Sequence, residues 1–281
     1  MTLNCKGELI DLTVPKVMGV LNLTPDSFYD GGKYKDAKAV LGQVERMLNE
    51  GATFIDVGAY SSRPGADAVS LEEELRRIVP IVELLVTEFP DIILSIDTFR
   101  STVAAECLEA GAALINDISA GMQDGEMLST VARFHVPYIM MHMRGTPITM
   151  QGLTDYDDVV RELLYYFSER LAEARALGIF DIVIDPGFGF AKTLEQNYEI
   201  LSRLALFSGL ELPLLAGLSR KSMIYKALEV TAEHALNGTT ALNMVALMNG
   251  ANILRVHDVQ EAMECIQLFG MLQFSAPSWQ I

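Results

Sequence analysis

The chain alternates short apolar runs with amphipathic stretches from one end to the other. Eight of the runs have the length of a buried β-strand, and a helical pattern follows nearly every one of them. These predicted strands cover residues 17–21, 53–57, 92–96, 113–115, 138–141, 182–184, 214–216 and 251–256. Eight strand–helix units in about 250 residues are typical of a TIM (β/α)8 barrel, so the pattern predicts this α/β fold.

Signals for the ends of helices agree with this interpretation. Glycines that suit a left-handed helix C-cap recur a few residues before a predicted strand, at Gly51, Gly111, Gly178 and Gly250. Ser70 and Glu73 form a capping-box signature for a helix that begins near Leu71. Pro80 predicts a kink or a break within that helix.

The chain as a whole is predicted to form one acidic domain over residues 1–281. A short hairpin is predicted before residue 15, where it could plug the bottom of the barrel, and no linker divides the rest. The formal net charge of −16 argues against DNA, RNA or an anionic membrane as the main partner, because these need a basic face. The three cysteines are isolated, which argues against disulfides and structural zinc. Without a signal-like leader or an apolar run of about 20 residues, we expect a soluble cytoplasmic protein.

Polar side chains follow most of the apolar runs. Parallel strands place their carboxyl ends at one edge of the sheet, and barrels carry their active sites there. We therefore expect these residues to converge on one site: Asn22, Asp97, Asn116, His142, Asp185, Ser219, Arg220, Lys221, Arg255 and His257.

Three of these residues could bind a flat heterocycle. Asp97, Asn116 and Asp185 would end the third, fourth and sixth strands. A carboxylate accepts two parallel N–H bonds from an amidine-like edge. Taken singly, each residue could equally cap the helix that follows its strand, but three at one barrel mouth favour a ligand site.

Basic residues after the last two strands predict an anion pocket. Lys221 and Arg255 lie where barrels of this kind bind phosphate, and Arg63, Arg220 and His257 could add positive charge. Arg220 could instead form a surface salt bridge. Lys221 could also act as a Schiff-base lysine, although such a lysine is expected within a strand and this one lies at the start of a helix.

Two long loops, residues 22–35 and 58–69, are rich in glycine, proline and polar residues and are predicted lids over the same edge. Asn22 could bind Mg²⁺, an ion that takes few protein ligands, with Asp26 and Asp30 as additional candidates. Aromatic side chains in the loops at this edge could form a flat apolar pocket, namely Phe28, Phe188 and Phe190.

Seven segments, in their order and spacing, closely resemble the dihydropteroate synthase family. They are NLTPDSFYDGG, SSRPGA, SIDTFRS, INDIS, DPGFGF, GLSRKSMI and RVHD. The resemblance runs from about Val17 to the end of the chain. It implies a transferase of folate biosynthesis that joins 6-hydroxymethyl-7,8-dihydropterin pyrophosphate to p-aminobenzoate and releases pyrophosphate, with Mg²⁺ as cofactor and usually as a homodimer. We expect a dissociative substitution, because the positive charge left on the exocyclic methylene can spread into the dihydropterin.

The resemblance also assigns roles to individual residues. It implies that Asp97, Lys221 and Arg255 are catalytic. The residues expected at the pterin ring are Asp97, Asn116, Met141, Asp185, Gly217, Lys221 and Arg255. Those expected at the pyrophosphate are Arg63, Arg255 and His257, with Asn22 at Mg²⁺. Those expected around p-aminobenzoate, where sulfonamides compete in this family, are Phe28, Ser62, Pro64, Phe190, Lys221 and Ser222.

The second long loop departs from the family pattern. Where the family commonly has Gly-Gly-Glu-Ser-Thr-Arg-Pro-Gly, residues 58–65 are Gly-Ala-Tyr-Ser-Ser-Arg-Pro-Gly. The acidic residue is missing, and Ser62 lacks a threonine methyl group that could contact the amine substrate. We expect catalysis to survive and sulfonamides to bind more weakly than to a Ser62→Thr variant. Equal inhibition constants for the two proteins would contradict this expectation.

Two alternative functions fit parts of the pattern. A methyltetrahydrofolate:corrinoid methyltransferase would share Asp97, Asn116 and Asp185, but it has no use for the Ser-Arg-Lys-Ser and Arg-Val-His anion segments, which are intact. A non-catalytic paralogue that binds a pterin or a partner protein would be indicated by loss of a long loop or of Lys221. Both features are retained.

Overall fold

The computed structural model describes residues 1–23, 33–60 and 69–275, which form a two-stranded hairpin followed by an eight-stranded sheet. The hairpin pairs β1 (Thr2–Cys5) with β2 (Glu8–Asp11) in antiparallel fashion. The strands of the sheet are β3 (Lys16–Asn22), β4 (Phe54–Gly58), β5 (Leu94–Asp97), β6 (Leu114–Asp117), β7 (Tyr138–Met141), β8 (Ile182–Asp185), β9 (Leu215–Ala216) and β10 (Ile253–Val256). Each of the eight predicted strands is present within a few residues of its predicted bounds.

The sheet closes on itself as a barrel. Neighbouring strands are parallel throughout, and the order is β8-β7-β6-β5-β4-β3-β10-β9. A parallel bridge between Ile184 and Leu214 joins its two ends. There the Ile184 N–H donates to the Pro213 carbonyl at 2.9 Å. The predicted TIM barrel is therefore confirmed.

Helices follow the barrel strands and cover their outer faces. They are α1 (Lys33–Asn49), α2 (Leu71–Glu88), α3 (Ser101–Glu109), α4 (Met127–Phe134), α5 (Val159–Ala176), α6 (Leu194–Ser202), α7 (Ser222–Ala227), α8 (Leu236–Met248) and α9 (Val259–Ser275). The four glycines predicted to end helices have φ angles of 82–110°, as the left-handed conformation requires. No helix in the described ranges is both long and apolar enough to cross a membrane.

Helix α2 tests the predicted start and the predicted break. The Ser70 hydroxyl accepts a hydrogen bond from the Glu73 backbone N–H at 3.2 Å, so the predicted N-cap is confirmed. The Glu73 carboxylate pairs with two arginines of the next turn instead of reaching back to the cap. The prediction of a break at Pro80 is wrong, because the helix continues to Glu88 with a buried face that packs on the barrel.

The N-terminal hairpin closes one end of the barrel, as predicted. Four of its buried side chains belong to one apolar cluster with the inward-facing residues at the amino ends of the strands. The hairpin residues are Leu3, Cys5, Ile10 and Leu12, and the barrel residues include Met18, Phe54, Leu114, Ile139, Val183, Leu215 and Ile253. This cluster forms a dry floor beneath the opposite, polar end.

Candidate active site

The polar site lies one layer above this floor. Side chains two residues apart on a strand point to the same face, so each strand contributes a floor residue and then a residue nearer the mouth. The pairs include Phe54 and Asp56, Leu114 and Asn116, Ile139 and Met141, Val183 and Asp185, and Ile253 and Arg255. Strand periodicity alone therefore brings the predicted residues Asn116, Met141, Asp185 and Arg255, together with Asp56, to the carboxyl end of the barrel.

Arg255 is the centre of a network of charged groups inside the barrel. Its Nε donates to Asp56 Oδ2 at 2.6 Å, and its Nη2 donates to Asp97 Oδ2 at 2.6 Å. Asn116 Nδ2 donates to the same Asp56 oxygen at 3.0 Å. The structure thus brings Asp97, Asn116 and Arg255 together, and Asp56 joins them.

Burial and the opposed charges set the ionisation of this network. Burial raises the pKa of the Asp97 carboxyl to about 7, although the Arg255 guanidinium opposes the shift. Burial disfavours the charge on Arg255, but the carboxylates of Asp56 and Asp97 raise the pKa of the guanidinium above its ordinary value. The Asp97 side chain keeps 17% of its exposure, whereas that of Asp56 is fully buried. Asp97 is therefore the carboxylate of the pair that a ligand can reach.

Asp56 carries an unused acceptor. Its Oδ1 is buried and has no hydrogen-bond partner in the described part of the chain. A buried oxygen of this kind normally finds a ligand or an ordered water. Ser95 is the register partner of Asp56 on β5, and its hydroxyl is also buried without a hydrogen-bond partner among the described residues.

On the other side of the mouth, Lys221 faces Asp185. Lys221 precedes α7, and its ammonium donates to the Phe188 carbonyl at 2.6 Å and lies 5.2 Å from the centroid of the Phe190 ring. A Cβ atom on Gly217 would lie 3.6 Å from Lys221 Nζ and 3.9 Å from Asp185 Oδ2, so Gly217 borders the space between the two charges.

The pKa values of these two groups move toward each other. Burial lowers the pKa of Lys221 to about 8, although Asp185 opposes the shift. Burial also raises the pKa of Asp185, with Lys221 acting in the opposite direction. Asp185 Oδ1 accepts the Gly187 N–H at 2.8 Å, which fixes the carboxylate and leaves its other oxygen toward Lys221.

A buried lysine lies behind this loop. Lys192 Nζ contacts His142 Nδ1 at 3.0 Å, the Gly187 carbonyl at 2.9 Å and the Phe190 carbonyl at 2.8 Å. Burial lowers the pKa of Lys192 well below its ordinary value. The pKa of His142 is also well below its ordinary value, mainly because of burial and secondly because of the charge of Lys192. His142, predicted at the mouth, is buried as a partner of this lysine.

The other predicted residues occupy separate parts of the edge. Met141 is buried and pairs in register with Asp185, and Ser222 is the first residue of α7. Asn22 is exposed at the end of β3 beside Gly58. His257 follows β10, and its Nδ1 lies 3.0 Å from the Ser219 hydroxyl.

Arg220 resolves one of the open alternatives. Its guanidinium forms a bidentate salt bridge with Asp258 at 2.8 Å and also donates to two backbone carbonyls. The expectation that Arg220 adds charge to the anion pocket is wrong, because its guanidinium is paired with the Asp258 carboxylate at the start of α9. Phe188 is likewise fully buried rather than open to a ligand.

Several predicted residues lie outside the described ranges, so their roles stay predictions. They are Asp26, Phe28, Asp30, Ser62, Arg63 and Pro64.

Sequence reasoning missed Asp56 and Lys192. Asp56 lies within the apolar run TFIDV, whereas the predicted site residues follow their apolar runs. A carboxylate inside such a run, two residues after a floor position, was the available signal. Lys192 follows DPGFGFA directly, and nothing near it in sequence indicates that it bonds to His142, fifty residues earlier.

Two cavities border residues in the described ranges. The larger, about 650 Å³, lies between the loops after β6 and β7 and helix α5, and of the residues predicted at the mouth only His142 lines it. The smaller, about 190 Å³, is bordered by Gly189, Lys192 and Ser222, next to Lys221. The charged groups described above therefore locate the site better than cavity size does.

Comparisons with known proteins agree with this geometry. A family model described as pterin binding enzyme matches residues 18–257. The dihydropteroate synthase of Escherichia coli (strain K12) is 45% identical over 270 residues, which are 95% of each protein. A structure of Yersinia pestis dihydropteroate synthase with a sulfonamide drug complex superposes with a TM-score of 0.91 at 42% identity, covering 98% of this chain and 100% of that chain. A Xanthomonas albilineans dihydropteroate synthase with 4-aminobenzoic acid gives a TM-score of 0.90 at 39% identity, with 98% and 99% coverage. This chain therefore belongs to the dihydropteroate synthase family of pterin-binding enzymes.

Proposed function

We propose that this chain condenses 6-hydroxymethyl-7,8-dihydropterin pyrophosphate with p-aminobenzoate to give 7,8-dihydropteroate and pyrophosphate. It is thus a transferase of folate biosynthesis and a sulfonamide target. The observation that carries the proposal is the Arg255 network, in which two aspartates and an asparagine meet at the carboxyl end of the barrel. Membership of the family and a relative with bound 4-aminobenzoic acid support it.

The pterin ring would lie between the two charged groups of the mouth. Asp185 would accept N–H bonds from the amidine-like edge of the ring. Asn116 donates its amide N–H to Asp56, which leaves its carbonyl oxygen free to accept from the ring. Arg255 would pack against the face of the ring, where its bonds to Asp56 and Asp97 hold it in place. Met141 and Gly217 would line the slot.

The reaction would proceed as a dissociative substitution. As the bond to pyrophosphate breaks, positive charge develops on the exocyclic methylene and spreads into the dihydropterin. The Asp97 carboxylate, partly exposed at the mouth, would stabilise this charge. The amine then needs only to be positioned, with water excluded by residues 22–35 and 58–69, and no covalent enzyme intermediate is required.

Arg63, Arg255 and His257 would bind the leaving pyrophosphate. Mg²⁺ fits Asn22, because an exposed amide oxygen suits an ion that takes few protein ligands and relies on water and substrate phosphates for the others. Within the described ranges, no three His, Cys, Asp or Glu side chains group as a metal site. When bound, Mg²⁺ would neutralise charge on the departing pyrophosphate.

The p-aminobenzoate pocket would lie beside Lys221. Lys221, Ser222 and the Phe190 ring would contact this substrate from the described side, where a cavity of about 190 Å³ reaches Ser222. The remaining contacts would come from Phe28, Ser62 and Pro64.

The enzyme is further proposed to be a cytoplasmic homodimer. Its three cysteines are free and buried, as is usual in a reducing compartment. Helices α8 and α9 pack together and expose large apolar side chains, which suits a subunit interface.

The proposal is tested by measuring pyrophosphate release from the dihydropterin pyrophosphate ester with Mg²⁺, with and without p-aminobenzoate. Release coupled to formation of 7,8-dihydropteroate is expected. Tight binding of the pterin without release or product would contradict the proposal and favour a non-catalytic paralogue or a methyltransferase relative.

A further inference from the structure

We propose that Lys192 is a positioning residue for the amine substrate, because it fixes the loop of residues 186–191 that presents the Phe188 carbonyl and the Phe190 ring to Lys221. The inference rests on the proposed function and adds to it a residue that determines affinity for p-aminobenzoate.

Lys192 is built into the protein interior. Its residue exposure is 6%, and its Nζ lies within 3.0 Å of His142 Nδ1 and of the carbonyl oxygens of Gly187 and Phe190. In the His142 tautomer whose Nδ1 carries no proton, all three atoms are acceptors. An ammonium has three N–H donors, and a buried one persists only where those donors are satisfied. The three contacts therefore use the full donor capacity of this side chain.

The loop that Lys192 holds has little room to move. The Phe190 N–H donates to the Gly187 carbonyl at 3.1 Å, which closes a tight turn. A Cβ atom on Gly187 would lie only 2.2 Å from the His142 carbonyl, so the turn packs directly against the end of β7. Lys192 bonds to the carbonyls at both ends of this turn and ties it to His142.

The same turn sets the position of Lys221. The Phe188 carbonyl accepts a hydrogen bond from Lys221 Nζ at 2.6 Å, and the Phe190 ring lies 5.2 Å from that nitrogen. Without Lys192, the Phe190 carbonyl loses this donor and the Gly187 carbonyl keeps only the Phe190 N–H. Rotation of either peptide would then displace the contacts to Lys221. Three of the proposed pterin contacts, Asp97, Asn116 and Arg255, lie on other strands and do not depend on this turn. Asp185 and Lys221 do touch it, through the Gly187 N–H and the Phe188 carbonyl.

Other bonds hold the loop in the absence of the lysine, so the variant is expected to fold. The Gly189 N–H donates to Asn197 Oδ1 at 2.7 Å. The Tyr156 hydroxyl donates to the Ala191 carbonyl at 2.9 Å. Loss of Lys192 therefore loosens the turn rather than releasing the whole connection.

The test compares Lys192→Met with Lys38→Met, which changes an exposed lysine on α1. We expect Lys192→Met to raise the KM for p-aminobenzoate by roughly ten- to a hundredfold, because small misplacements of positioning groups have effects of this size. The dissociation constant of the dihydropterin pyrophosphate ester, measured by titration calorimetry, is expected to rise by a smaller factor, because Asp97, Asn116 and Arg255 keep their positions on other strands. Lys38→Met is expected to change neither constant.

An unchanged KM for the amine, or an equal rise in both constants, would overturn the inference. If Lys192→Met does not fold, His142 provides the test, since His142→Asn keeps an acceptor for Lys192 and His142→Leu removes it. Only His142→Leu is then expected to raise the KM for p-aminobenzoate, and equal behaviour of the pair would overturn the inference. Wild-type protein in the same assay separates the two hypotheses, because absence of product there contradicts the proposed function itself.

Discussion

The hydrogen-bond and ion-pair partners of a residue in this site determine whether its side chain can reach a ligand. Arg255 is bonded to two carboxylates, so the guanidinium cannot turn freely toward a ligand. Removing one partner of such a network leaves an uncompensated charge in the interior. Asp56 is completely enclosed, whereas Asp97 borders the mouth, and this difference separates a supporting carboxylate from one that can act on a substrate.

Asp97→Asn tests the role of the anion. The amide is nearly isosteric and can still bond to Arg255, but it cannot stabilise positive charge on the dihydropterin. We expect kcat to fall by roughly 10²–10³-fold, the usual loss when one electrostatic group is removed from a transition state. Pyrophosphate release is the measurement, and Asp91→Asn at an exposed position is the control. Full turnover with intact pterin binding would contradict the role given to Asp97.

The pH dependence tests Asp97 and Lys221 together. Asp97 has a raised pKa of about 7 and loses its charge as the pH falls below that value. Lys221 has a lowered pKa of about 8 and loses its charge as the pH rises above it. A plot of kcat/KM against pH should therefore peak between the two values. Lys221→Arg should move the basic limb to higher pH, because a guanidinium stays protonated, and an unmoved limb would argue against Lys221.

At the scale of elements, the two-residue period of the strands explains both the floor and the site. The sequence allowed prediction of the eight strands, the helix-ending glycines and the hairpin, because each depends on local pattern. It also placed Asp97, Asn116, Asp185 and Arg255 at one edge. The sequence could not predict that Arg255 pairs with Asp56, because the two residues lie 199 positions apart in the chain.

The loop after β8 shows the same limit. The pattern Gly-Phe-Gly-Phe indicated a functional loop, but it could not show which phenylalanine faces outward. Phe188 fills the core and contributes its backbone carbonyl, while the Phe190 ring lies near Lys221. Such roles follow from tertiary contacts that no local period encodes.

Gly187→Ala tests how tightly this loop is packed, with Gly178→Ala as a matched control. Both glycines have positive φ angles, 70° and 82°, so alanine is strained at each position. Gly178 has no atom within 4 Å of an added Cβ, and the expected cost there is about 1–2 kcal/mol. At Gly187 the added atom would collide with the His142 carbonyl at 2.2 Å, so a larger loss of stability is expected. Calorimetric unfolding temperatures check this, and equal shifts would contradict it.

At the scale of the whole molecule, the apolar surface of α8 and α9 is the feature that points to self-association. Exposed side chains recur on both helices, at Val245, Met248, Leu268 and Leu272. The spacings of three and four residues place each pair on one side of its helix. A chain with a net charge of −16 would otherwise be expected to repel its own copies.

A double variant, Met248→Glu with Leu268→Glu, tests the proposed homodimer. Light scattering after size-exclusion chromatography should give a dimer for the wild type and a monomer for the variant, because buried carboxylates would oppose association. Phe180→Glu alters another exposed apolar residue, 72% exposed, and should leave the dimer intact. A dimeric double variant would exclude this face, and a monomeric wild type would exclude the homodimer.

The N-terminal hairpin, which closes the lower end of the barrel, determines how substrates enter and products leave the enzyme. With Leu3, Cys5, Ile10 and Leu12 sealing the lower end, molecules have to pass through the mouth in both directions. The layer of Asp56 and Arg255 lies deeper than the loop that carries Phe190, so the pterin would occupy the inner position and the amine the outer one. If the amine bound first, it would block entry of the pterin substrate. If it bound second, it would prevent release of the pterin substrate until the new bond is formed.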